Sequence, residues 1–115
     1  MSGRTEGERV RERIAQELRN AMKAREAARI AALRSFGAAL DNATAVPLPS
    51  RILPHENVEV PRKVLSLGDI RAILSREIAD RRRAAATLTA HARSEEAAAV
   101  EAEIKVLEQY EITIT

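Results

Sequence analysis

From residue 10 onward an apolar side chain recurs at every fourth position: Val10, Ile14, Leu18 and Met22. At about 100° per residue this spacing puts all four on one face of a helix, expected over about 8–23. Ile30, Leu33, Phe36, Gly37 and Leu40 form a second stripe. The two stripes point roughly 90° apart, which predicts a break or kink near Lys23–Ala27 and a second helix over about 26–41. Neither proline nor glycine marks that break. Residues 1–7 precede the first stripe and read as a flexible N-terminus.

Residues 42–65 lose the helical period and hold all four prolines, at 47, 49, 54 and 61. Each proline removes a backbone donor and drives its predecessor toward extended geometry, so this stretch is expected to be a long loop. Helix resumes at Ser66, a predicted N-cap with Asp69 in the first turn. Leu67, Ile70, Leu74, Ile78, Ala85, Leu88 and Ala92 continue one face, with Arg81 in the single gap of the stripe. A helix over about 66–92 would be about 40 Å long. Ser94 followed by Glu95 and Glu96 signals a new N-terminus. The last helix, over about 95–110, turns Ala97, Val100, Ile104, Leu107 and Tyr110 inward. The alternating Glu-Ile-Thr-Ile-Thr of the 111–115 tail favours strand or frayed coil. The pattern predicts an all-α domain over residues 8–110, four helices with the proline-containing loop between the second and the third.

Composition narrows the chemistry. Alanine supplies 22 of the hydrophobic residues, so Leu, Ile and Val must build the core. That suits a slim bundle without a deep ligand cavity. A slim bundle can leave one face for a second copy, so a homodimer is a further expectation. The absence of cysteine excludes disulfides, thiolate metal sites and a Cys nucleophile. No apolar run approaches the length of a membrane span, and the charged start lacks a secretory apolar region, so a cytoplasmic location is expected. Phosphate-binding and dinucleotide-binding glycine loops are missing, the four glycines being at 3, 7, 37 and 68. His55 and His91 have no spaced ligand partners and read as surface residues. Ser66, Ser75 and Ser94 fall in caps or on helices. No catalytic residue, metal site or cofactor is expected.

Charge is unevenly spread. Residues 1–40 carry nine basic and five acidic groups, and residues 94–115 carry Lys105 against six glutamates. Either the acidic last segment neutralises neighbouring basic helices, or a basic face stays free for a polyanion such as RNA. Glu77 followed by Arg81–Arg82–Arg83 is the most informative polar feature. The i, i+4 spacing of Glu77 and Arg81 predicts an ion pair, and Arg81's place on the apolar stripe sends it between helices. The competing reading is a phosphate or carboxylate clamp at the bundle edge. With 2% aromatic residues, base stacking is not expected, and RNA contact would read backbone and shape.

Four short motifs follow one another in order: Leu18–Arg19–Asn20–Ala21–Met22–Lys23–Ala24–Arg25, Ala32–Leu33–Arg34, Ser75–Arg76–Glu77 with Arg81, and Glu103–Ile104–Lys105–Val106–Leu107–Glu108–Gln109–Tyr110. Over roughly residues 8–110 this order resembles the YqeY-like family, which is related to the tail domain of the GatB component of the tRNA-dependent amidotransferases. The resemblance implies an all-α fold whose N-terminal four-helix subdomain matches the four segments above. Longer relatives show Leu-Pro after the closing tyrosine where this chain has Glu111–Ile112, which implies a short form without the C-terminal three-helix subdomain. It also implies a link to tRNA and to glutamine-dependent carbon–nitrogen ligase activity, without an amidase or kinase centre of its own. The leading expectation is therefore a non-catalytic amidotransferase-related module that binds tRNA or a tRNA-handling protein. Its phosphate contacts would come from Lys23, Arg25, Arg29, Arg34, Arg81, Arg82 and Arg83. The rival is a protein-interaction or assembly module with no nucleic-acid role.

Overall fold

The structure is a computed structural model that describes residues 5–45 and 63–114. It holds four helices, α1 (Glu6–Ala24), α2 (Ala27–Thr44), α3 (Leu67–Ala90) and α4 (Ser94–Ile114), and no strand among the described residues. The fold is the expected all-α one. Of the expected proline loop, residues 46–62 lie outside the described residues. Its two ends meet, because the Lys63 N–H donates to the Thr44 carbonyl at 2.8 Å.

Local chemistry explains where each helix starts and stops. α1 begins at Glu6, earlier than its apolar stripe marks, because Thr5 and Glu8 form a reciprocal capping box. Gly7 is then buried; a Cβ there would stand 3.3 Å from that of Leu65, whose side chain is 3% exposed. The predicted break between the first two helices is real. Arg25 adopts the left-handed conformation at φ 56°, and the Glu26 N–H reaches back to the Ala21 carbonyl at 3.0 Å, closing a Schellman turn. At the end of α3 the same device recurs, with Ala92 at φ 58° and the Arg93 N–H bonded to the Leu88 carbonyl at 2.9 Å.

Ser66 caps α3 as predicted. Its hydroxyl accepts from the Asp69 N–H at 3.1 Å, and Asp69 accepts from the Ser66 N–H at 3.0 Å. The backbone and hydroxyl of Ser66 hold the Asp69 carboxyl below its ordinary value of 3.8. At its far end the chain departs from expectation. Residues 111–114 continue α4 as helix and form neither strand nor coil. No neighbouring strand among the described residues pairs with them, and the preceding turn supplies hydrogen-bond acceptors, so local β-propensity yields.

α2 packs against each of the other helices, and α3 and α4 lie along one another as a hairpin. Phe36, Leu33 and Leu40 of α2 are fully buried against Ile70 and Leu74 of α3 and Leu107 of α4. Tyr110 closes this core edge-on to Phe36 at 5.7 Å, with the Arg13 guanidinium 5.2 Å over its ring. Two core expectations fail: Met22 is 49% exposed, whereas Ala21 is fully buried, and Ala92 is exposed in the turn that follows α3. α1 presents Gly7, Ile14 and Ala21, seven residues apart, because small residues at both ends let neighbouring elements approach closely.

Two outcomes follow for stability. Ala92→Gly relieves left-handed strain and raises stability by about 1 kcal/mol, read as a higher midpoint in thermal unfolding. Because the folded Asp69 carboxyl is more acidic than the unfolded one, its contribution is full above the unfolded value and fades as pH falls through the folded one. Thermal unfolding across pH should therefore show Asp69→Asn less stable than the parent at neutral pH, the two converging once the pH drops below the folded value.

Candidate functional site

Three helices meet at a polar seam built around the pair that the i, i+4 spacing predicts. Ser35 of α2 donates its hydroxyl to Glu77 Oε1 at 2.5 Å. Arg81 Nη1 donates to that same oxygen at 3.0 Å and to the Glu77 carbonyl at 3.3 Å. Arg81 Nε donates to Glu103 Oε1 of α4 at 3.0 Å. The side chains of Arg81, Glu77 and Glu103 keep only 15%, 16% and 20% of their exposure. One guanidinium thus serves two carboxylates in a half-buried setting, where its planar fork offers donors in both directions. Sequence spacing gives no sign of Glu103 and Ser35 as partners.

The other candidate cations occupy different settings. Arg29 sits between Glu17 at 3.6 Å and Glu26 at 3.9 Å. Arg82 pairs with Glu108 at 2.9 Å, and Arg83 pairs with Asp80. The Arg82 and Arg83 pairs are open to solvent, with arginine side chains 62% and 72% exposed. Lys23, Arg25 and Arg34 are exposed and have no carboxylate partner among the described residues. Lys23 lies in the last turn of α1, and Arg25 forms the left-handed turn that follows it. Arg34 stands apart, its guanidinium 4.0 Å from the Met22 sulfur.

The helix register brings some of these together. α2 and α3 run antiparallel, with Ser35 level with Glu77. Arg82 and Arg83 lie about one and a half turns beyond Glu77, toward the end of the bundle that holds the α1–α2 turn. Lys23 and Arg25 lie at the α1–α2 turn and Arg82 and Arg83 on the half of α3 nearer to it, whereas Arg81 is held inside the bundle.

On the outer side of the α1–α2 hairpin lies a groove of about 410 Å³, with Ala15 and Leu18 on one wall and Gly37 and Ala38 on the other. One end is closed by an ion pair between Arg11 and Asp41 at 2.6 Å, and Arg34 lines it as well. His91 turns Nδ1 to the Thr87 carbonyl at 2.8 Å at the end of α3. Among the described residues no group of histidine or acidic side chains has the arrangement of a metal site. None of their helices is long and apolar enough to cross a membrane.

Comparison with known families matches residues 11–112 to the family described as Yqey-like protein. No curated protein and no solved structure matches the chain.

Arg81→Met leaves Glu77 and Glu103 without their cation inside the seam and should cost about 2 kcal/mol in urea unfolding, less than for full burial because some solvent remains. Arg82→Ala, which breaks only an exposed pair, should change stability by less than about 1 kcal/mol.

Proposed function

Because this chain belongs to the YqeY-like family, we propose that it is a non-catalytic helical module that binds tRNA through its phosphate backbone, assisting glutamine-dependent amide transfer whose chemistry is done by other proteins. The observation that carries the reading is the cationic end of the bundle. Lys23 and Arg25 flank a tight turn with no carboxylate among the described residues to neutralise them. Arg82 and Arg83, on the half of α3 nearer that turn, stand in exposed pairs, each worth less than about 1 kcal/mol, so a phosphate can replace the carboxylate. A hydrogen-bonded turn fixes the Arg25 backbone, so its exposed guanidinium leaves the chain from a defined point.

Arg29 and Arg81 are left out of this contact set. Arg29 lies between two glutamates and Arg81 holds the seam, so neither can reach a phosphate without abandoning carboxylates. The sparse aromatic content matches a backbone reader better than a base stacker.

Filter binding of the full chain to tRNA tests the proposal. With about four phosphates engaged, affinity should fall about 100-fold between about 50 and 200 mM salt. Reversing Lys23 and Arg25 together (Lys23→Glu with Arg25→Glu) should flatten that dependence without changing the circular-dichroism spectrum. Failure of the parent chain to bind tRNA at low salt would sink the reading.

A further inference from the structure

α2 is covered on most of its sides, yet one stripe of it stays open. Ala27, Ala31, Arg34, Ala38 and Asp41 are exposed while the residues between them are buried or half-buried. Their spacing of four, three, four and three averages 3.5 residues, the period of a seam between two long-packed helices. Beside the stripe runs the groove between Ala15 and Leu18 of α1 and Gly37 of α2, with Met22 exposed near its Arg34 end. Small residues along such a face let a second helix backbone come close, where long side chains would hold it off.

Charge on the stripe identifies the occupant. It carries one cation, Arg34, and one anion, Asp41, seven residues apart, with Gly37 and Ala38 midway between them. An antiparallel copy of the same helix, related by a two-fold axis at that midpoint, exchanges positions 34 and 41. We propose that a second copy of this chain covers this face, each α2 crossing the partner's α2 at Gly37–Ala38, and Arg34 of each copy meeting the partner's Asp41. An isologous contact of this kind makes each favourable pair twice. Arg34 is available for it, having no carboxylate partner among the described residues of its own chain. Asp41 already receives Arg11 at 2.6 Å, and a carboxylate has acceptor sites for a second guanidinium. The surface is distinct from the Lys23–Arg25 turn, so it does not rest on the tRNA reading.

Analytical ultracentrifugation of the full chain without RNA tests this. The parent should dimerise reversibly in the micromolar range. Arg34→Asp and Asp41→Arg, each alone, set like charges opposite one another and should weaken self-association at least tenfold. Mixed in equal amounts, the two variants place every acidic position opposite a basic one and should restore the pair. Ala38→Arg, at an exposed position the fold does not use, should block the crossing and give a monomer with an unchanged helical spectrum. A parent that stays monomeric, even if an acidic helix from another protein fills the groove, overturns the proposal. So does a dimer indifferent to Ala38→Arg, or a mixture of folded single variants that does not associate.

Discussion

Everything in this bundle turns on the way one arginine is shared inside it. Arg81 lies in a half-buried seam where an unpaired charge would be costly, and two carboxylates from different helices meet it there. Through Glu77 the hydroxyl of Ser35 joins the same network, so α2, α3 and α4 are tied at one level. Hydrophobic burial holds the helices together but carries no direction of its own. A directional network of this kind admits one register. That register decides which surface cations end up side by side.

With α2 packed against the other three helices, polar residues on it are rare and each has a distinct setting. Ser35 belongs to the seam, Arg29 lies between glutamates, and Arg34 and Asp41 remain on the open stripe. The division of labour among arginines follows from geometry rather than from number. Arginines held by two carboxylates at once, Arg29 and Arg81, are drawn into structure. Those at the α1–α2 turn have none among the described residues within reach and stay available to an outside anion.

Much of this was legible in the residues. Apolar spacing placed all four helices, and the 90° offset between two stripes located the break at Arg25 without a glycine to mark it. Spacing of four within one helix likewise exposed the Glu77–Arg81 pair, since both ends lie on the same rod. Glu103 and Ser35 were invisible because their contacts depend on how separate rods slide against one another, which no local pattern encodes. The Arg29–Glu17 and Arg82–Glu108 contacts cross between helices in the same way, whereas Asp80 and Arg83 share the i, i+3 spacing of one helix. Met22 and Ala21 show a subtler limit. Period alone sends the larger side chain inward, but close helix packing prefers the smaller one. At the end of α4, β-branched alternation suggested an extended tail, and the continuing hydrogen-bond ladder outweighed it.

The central claim is that Ser35, Glu77, Arg81 and Glu103 act as a single three-helix lock. A double-mutant cycle of Ser35→Ala and Arg81→Met in urea unfolding measures it directly, because both side chains bond to the same oxygen of Glu77. A shared lock requires a coupling energy of about 1 kcal/mol. Strictly additive effects would mean that the seam is a set of independent contacts and that apolar packing alone sets the register.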